Sequence, residues 1–316
     1  MSRRCCLIAT ALFITLARFG FMPAKTMLLN QLKMEVNDHL NSLITAPDSA
    51  SLGVLMPIAG QSPTNAVQLS ANLDSDLLNA WIAASDTDVL VIQRHGTIVH
   101  ESYADGANNG LSINTMSMTK NIIALLIGIA IDEGHITSED SQIKRYIPEL
   151  QIDDRHSVTV GALLNHRSGL KSGLRELRQT LQGEALSHTQ LASLEFSKEQ
   201  AFRYDNINYH LLSQILTRAY EELLSTIIEE KLWRPLGLAP AKIVDSAGYC
   251  CLFATARSWL VLGQLYLDRG MHNGSPFVAK EWIVKMLSKP ETANEFFVQT
   301  TGFSRVTDTD TTSIAG

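Results

Sequence analysis

Ser117 and Lys120 stand three residues apart in Ser117-Met118-Thr119-Lys120, directly ahead of the nearly charge-free run Asn121–Ile131. At that spacing on a helix two residues share a face, with Cβ atoms about 5–6 Å apart. The run that follows is apolar almost all round, so a helix built from it must be buried on most of its sides. An ammonium carried into a partly dry site tends to lose its proton, and an amine beside a hydroxyl can then act as its base. The chemistry open to the pair is nucleophilic attack by the serine. Alone, Ser-x-x-Lys is a weak signal, because it also describes a helix-start serine followed by a lysine that snorkels to solvent.

Three further segments follow in order. They are Leu163-Leu164-Asn165-His166-Arg167-Ser168-Gly169-Leu170, then Phe202-Arg203-Tyr204-Asp205-Asn206, then Gly248-Tyr249-Cys250-Cys251-Leu252-Phe253-Ala254-Thr255-Ala256-Arg257. Each has an ordinary structural reading. Tyr204 fits a buried aromatic with a satisfied hydroxyl, and Asn206 fits a helix N-cap. His166 with Ser168 could form a histidine–serine dyad, although a serine before glycine is a turn residue first. Adjacent cysteines rarely bond each other, so Cys250-Cys251 is expected to act as small buried hydrophobes.

Taken together and in this order, the four motifs resemble the serine hydrolases of the penicillin-recognising, class C β-lactamase-like superfamily. That group includes D-Ala-D-Ala peptidases, class C β-lactamases, lactamase-like esterases and 6-aminohexanoate-dimer hydrolases. The resemblance spans roughly residues 75–290 and is far more specific than any one motif. It implies Ser117 as the nucleophile on an ester or amide carbonyl, through an acyl-enzyme intermediate. It implies Lys120 as the acceptor of the serine proton or the stabiliser of the base that takes it. Tyr204 matches the tyrosine of the Tyr-x-Asn motif, which shuttles the proton to the leaving group. Asn206 matches the asparagine that hydrogen-bonds the lysine and the substrate. The oxyanion hole would use the backbone N–H of Ser117 and one from a later strand. No cofactor or metal is implied.

The chemistry is sound without the family. A tyrosine of ordinary pKa about 10 serves as base only where cations hold its phenolate, and Lys120 is the available cation. Lys120 and Tyr204 would titrate as a coupled pair, and sequence does not order them. Two departures stand out. Asp205 occupies the middle of Tyr-x-Asn, where many relatives carry serine; pointing inward, its carboxylate would hold Lys120 protonated. The third family motif, Lys-Thr-Gly or a variant, has only Thr300-Thr301-Gly302 as a counterpart. Gly316 is therefore expected to fall just before the strand that carries it. The N-terminal hairpin would then lack its C-terminal partner strands and present an open edge.

The elements that must position these groups follow from periodicity and turn signals. Asp74–Ala84 has helical spacing, with Leu77, Leu78, Trp81 and Ile82 on one face. Val89–Gln93 and Thr97–Tyr103 flank Arg94-His95-Gly96 as a hairpin. From Ser117 to about residue 235 the pattern is helical, with Gly134 as a C-cap after the apolar helix. Thr159–Leu164, one long helix over His210–Ile228, Ala254–Leu267 and Lys280–Leu287 complete the set. The order predicts an α+β protein with a helical insert. The resemblance implies the β-lactamase/transpeptidase-like fold, an antiparallel sheet flanked by helices with a helical subdomain at about residues 113–235. The hydrolase domain is placed at 74–316, preceded by an N-terminal arm at 25–73.

Composition bounds the rest. The 316 residues carry a net charge of −6 and no clustered basic run, which argues against a nucleic-acid partner. Among nine histidines and four cysteines, zinc-type spacing and His-Glu-x-x-His are absent, so no metal partner is expected. Residues 1–24 open with Arg3-Arg4 and the apolar run Cys5–Leu16, the plan of a secretory signal or an anchor. The expected location is periplasmic or secreted, with membrane contact only through that segment; an internal start would make it cytoplasmic. The expected partner is a small-molecule ester or amide. The competing function is a catalytically degenerate penicillin-binding-like protein that holds peptidoglycan or a partner without turnover.

Overall fold

A computed structural model describes residues 54–61, 75–85, 87–104, 107–151, 153–173, 176, 180, 185–288, 304–308 and 311–315. The described residues all fall within one compact unit, Ala50–Gly316. The signal or anchor segment, most of the arm and Thr300-Thr301-Gly302 lie outside them.

Strand β1 (Leu55–Ile58) comes first, followed by helix α1 (Ser75–Ser85) and the strands β2 (Val89–Arg94) and β3 (Thr97–Tyr103). β2 and β3 form the expected antiparallel hairpin. His95 and Gly96 both have positive φ, 49° and 78°, the turn whose twist matches a two-residue hairpin. Strand β4 (Ser112–Asn114) leads through a 3₁₀ turn, Met116–Met118, into helix α2 (Thr119–Asp132). Every residue of α2 from Thr119 to Ala130 is buried, as the near-absence of charge demanded. Gly134, at φ 81°, ends it without a side-chain penalty.

The helical part continues with α3 (Val160–Leu164), the short strands β5 (Leu170–Lys171) and β6 (Glu195–Phe196) around α4 (His188–Ser193), then α5 (Ile207–Tyr220) and α6 (Leu224–Ile228). The single long helix expected over 210–228 is two. Glu221 adopts a left-handed φ of 57°, which caps α5 and turns the chain before α6. Strands β7 (Ala241–Val244) and β8 (Leu252–Thr255) precede α7 (Ala256–Leu267). The small ribbon β9 (Met271–His272) and β10 (Ser275–Pro276) follows, then α8 (Lys280–Leu287).

The main sheet is antiparallel in the order β1-β7-β8-β4. The N-terminal arm thus contributes a strand, with Leu55 opposite Val244 and Ile58 opposite Ala241. Among the described residues, the β2–β3 hairpin and the hairpin of β11 (Ser304–Asp308) and β12 (Thr311–Ala315) each pair only with themselves. β2–β3 is tied to α7 instead. Arg257 donates two hydrogen bonds to Glu101, at 2.8 and 2.6 Å, and Gln93 bonds Gln264. That guanidinium, together with the Tyr103 hydroxyl, holds the Glu101 carboxyl below its ordinary pKa.

The buried helix α2 is the axis of the core. α8 crosses it where Gly128 leaves room: a Cβ there would meet the Trp282 ring at 2.3 Å. The indole Nε1 of Trp282 donates to the Ala124 carbonyl at 2.9 Å, which fixes the ring in that seat.

Candidate active site

Ser117 is delivered by the sheet. β4 pairs with β8 through Asn114 opposite Phe253, and the Thr115 N–H extends that pairing to the Leu252 carbonyl. The chain then turns sharply. Met116 takes a left-handed φ of 47°, and its N–H is held by the buried Asn114 side chain at 3.0 Å. Thr119 closes the turn from the other side. Its hydroxyl donates to the Met116 carbonyl and accepts the Leu252 N–H. Ser117 therefore sits on a short 3₁₀ turn bolted to the sheet, with Lys120 on the first turn of the buried helix.

The lysine amine lies 3.1 Å from Ser117 Oγ, to which it donates, and donates also to the Tyr249 carbonyl at 2.8 Å. Lys120 is 3% exposed, and this burial pushes its pKa down from the lysine range to about 7. The rings of Tyr204, Tyr209 and Tyr249 stand 4.9, 5.8 and 5.6 Å from the nitrogen. Their faces partly offset the lost hydration of the ammonium.

Tyr204 completes the cluster: its hydroxyl donates to Ser117 Oγ at 2.8 Å. Burial raises its pKa, and the bond to Ser117 opposes the rise. The phenol is therefore protonated when the amine beside it is partly neutral. An amine three residues from Ser117 and a phenol 87 residues from it thus converge on one oxygen.

The loop carrying Tyr204 is clamped by His166 and Asp205. The His166 carbonyl accepts the Arg203 N–H, its Nδ1 accepts the Asp205 N–H, and its ring stacks on Tyr204 with centroids 4.6 Å apart. Burial and the charge on Lys120 drop the His166 pKa to about 4, so this ring is neutral at physiological pH. It does not pair with Ser168. That buried hydroxyl donates to Asn208 and accepts the Leu170 N–H, which makes it a turn residue and sets the dyad aside.

Asp205 corrects one expectation. Its carboxylate accepts from the Ser172 hydroxyl at 2.6 Å and from the Ile207 N–H at 3.2 Å, so it caps the start of α5 instead of facing Lys120. Asn206 corrects another. Lys120 is held by the Tyr249 carbonyl, and the Asn206 Oδ1 is buried without a hydrogen-bond partner. Asn206 occupies the N-cap position of α5 but makes no side-chain cap bond. The Tyr249 carbonyl was invisible to sequence reasoning, since any residue there supplies a carbonyl and only the fold aims it.

Cys250 and Cys251 are the third correction: the structure joins them in a disulfide. Cys251 has a left-handed φ of 70°.

A cavity of about 750 Å³ opens beside this centre, lined in part by Lys120, Asn121, His166, Tyr209, Glu199 and Trp282. Ser117 and Tyr204 are not in its wall, so it approaches the centre from the amine side. Among the described residues no group of histidine, cysteine and carboxylate side chains could hold a metal ion, and no helix is long and apolar enough to cross a membrane.

Comparison with known proteins supports the same frame. The β-lactamase family profile matches residues 80–245, just over half of the chain, including Ser117, Lys120 and Tyr204. A Dictyostelium discoideum protein named β-lactamase-like protein 2 is 24% identical over 195 residues. That match takes in 58% of this chain, which spans about a third of the relative's length, 34%. Among solved structures, a Bacillus anthracis protein provisionally named a 6-aminohexanoate-dimer hydrolase superposes with a TM-score of 0.66 at 18% identity, covering 76% of this chain and 72% of its own. The octameric penicillin-binding protein homologue from Pyrococcus abyssi gives 0.55 at 19% identity, over 68% and 60%. The class C β-lactamase from Rhodobacter sphaeroides gives 0.51 at 18%, over 68% and 70%. The fold is β-lactamase/transpeptidase-like, and the chain belongs to the β-lactamase family.

Proposed function

We propose that this protein cleaves a small ester or amide through an acyl-enzyme formed on Ser117. The observation that carries the reading is the convergence of the Lys120 amine and the Tyr204 hydroxyl on Ser117 Oγ, at 3.1 and 2.8 Å. A serine hydroxyl becomes a useful nucleophile when a neighbouring base takes its proton. Lys120 is that base, because burial brings its pKa to about 7 and leaves a lone pair available near neutrality. Tyr204, kept protonated by burial, passes its hydroxyl proton to the leaving group and regains the one that Lys120 took from Ser117. The Ser117 N–H supplies one oxyanion donor; the donor expected from a later strand lies outside the described residues. Asn206 would turn its amide to the substrate, since its Oδ1 is buried and unpartnered where it stands.

The test is turnover. A panel of p-nitrophenyl esters, nitrocefin and D-alanyl peptides should include at least one substrate that the wild type hydrolyses and Ser117→Ala does not. Equal rates for the two proteins on every hydrolysed substrate would reject the assignment.

One observation favours a second reading, a binding protein without turnover: the cavity wall includes Lys120 but neither Ser117 nor Tyr204. Saturable binding of a stem peptide that survives Ser117→Ala, with no hydrolysis by either protein, would support it.

A further inference from the structure

The turn that holds Lys120 also carries the disulfide. Between β7 and β8 the chain runs Asp245 to Cys251, and Tyr249, Cys250 and Cys251 are all buried. On one side of the cysteine pair, the Tyr249 carbonyl accepts from the Lys120 amine. On the other, Leu252 accepts the Thr115 N–H and donates to the Thr119 hydroxyl. The two cysteines thus lie between two attachments to the segment bearing Ser117 and Lys120. The rest of the turn is anchored as well. Tyr249 shares a 2.7 Å hydrogen bond between its hydroxyl and Thr180, and the Ser246 carbonyl bonds the His210 ring. Gly248 is wedged against Ser213, where a Cβ would approach to 2.6 Å. The cysteines themselves are tied by the Cys250 N–H to the Ala247 carbonyl at 3.0 Å and by the longer Val244 N–H to Cys251 carbonyl bond at 3.3 Å. Cys251 is a non-glycine residue in a left-handed conformation that favours release. A disulfide between neighbours closes a small ring across one peptide bond and opposes that release.

We propose that the Cys250–Cys251 disulfide is a redox-dependent lock that keeps the Tyr249 carbonyl on Lys120 and the turn closed over the amine. The proposal rests on the acyl-enzyme reading above, with Cys250 and Cys251 as positioning residues. Its reductant is a dithiol. One thiolate attacks a cysteine sulfur to give a mixed disulfide, and the second thiol displaces the other bond. Two electrons and two protons pass to the protein, leaving two cysteine thiols and the cyclic disulfide of the reagent. Once reduced, Cys251 can relax to negative φ, the carbonyl turns away, and water reaches the amine.

The groups facing that amine are Tyr204, Tyr209, Tyr249 and His166, all uncharged near neutral pH. The charged residues in the adjoining cavity wall are Glu139, Asp140, Glu199, Arg167 and Lys285. These side chains are common to both redox forms, so a change in the profile that appears only on reduction reports the turn at Lys120.

The experiment measures the rate at which a fluorophosphonate labels Ser117 as a function of pH. Three samples are compared: protein purified without reductant, the same protein after dithiothreitol, and Cys250→Ser/Cys251→Ser. In the disulfide form the rate should rise through a midpoint near neutrality. In the reduced form and the double variant the midpoint should move up by about one unit, with labelling at about pH 7.5 falling about threefold. Reoxidation should restore the first profile, and dithiothreitol should not alter the double variant. If the double variant does not fold, the reversible change in the wild type decides. Superimposable profiles in the two redox states overturn the lock while leaving the hydrolase reading intact. So does alkylation of both cysteines in folded protein never exposed to reductant. Absence of Ser117 labelling in every form would overturn both.

Discussion

A lysine buried to the extent of Lys120 cannot keep its proton at the ordinary price, and that fact sets the pH behaviour of the centre. With the pKa pushed to about 7 by desolvation, the amine is neutral above that value and can accept the Ser117 proton. As pH falls through about 7 the ammonium forms, and hydrolysis should fall with it. A kcat/KM profile should place the acid limb near 7, and Lys120→Met should lower the rate by about 10²–10⁴-fold. The same burial works against stability. The unfolded lysine titrates near 10.4, so between about 10 and 7 the unfolded chain binds a proton that the folded one refuses. The penalty is absent above that window, grows as pH falls through it, and is complete below about 7. Lys120→Met should therefore gain roughly 2 kcal/mol at neutral pH in denaturant unfolding, while losing activity. A stabilised, inactive variant would mark a residue kept for chemistry; a destabilised one would count against it.

At the scale of elements, the site depends on how α2 is seated. Ser117 and Lys120 stand at its start, and α8 locks the helix further along through Trp282 over Gly128. Gly128→Ala should force that ring out of place and cost about 1–3 kcal/mol, read as a lower midpoint in urea. Retention of full stability would show that α8 does not hold the helix. Much of this layer was legible in the sequence. The run Asn121–Ile131 could only be a buried helix, and His95-Gly96 between two β-rich runs could only turn a hairpin. Lys280–Leu287 came out with the expected bounds. The break at Glu221 was not legible, because apolar spacing continues across it and only a left-handed residue interrupts the helix. Asp205 and Asn206 showed their types but not their directions. Whether a carboxylate faces a lysine or caps the next helix depends on backbone angles that a motif does not contain.

The whole molecule is where sequence reasoning was weakest, and the reason is distance along the chain. β1 pairs with β7 some 186 residues later, and β4 with β8 across about 140. Strands of three or four residues carry no periodicity to read, and their partners are chosen by the fold. Nothing in the arm's sequence announces that Leu55–Ile58 edges the main sheet. The adjacent cysteines were read as packing, since nothing local announces a left-handed Cys251. The order of the four motifs did carry the long-range information, because only a common fold explains Ser117, Lys120 and Tyr204 in that sequence. Their meeting within hydrogen-bonding reach is the central structural fact. Its most direct test is peptide mass spectrometry after treatment with a fluorophosphonate. The expected result is a covalent adduct confined to the peptide bearing Ser117, lost in Ser117→Ala and slowed in Lys120→Met. An adduct on Ser168 or any other residue, or labelling of Ser117 at equal rates with and without Lys120, would contradict the account.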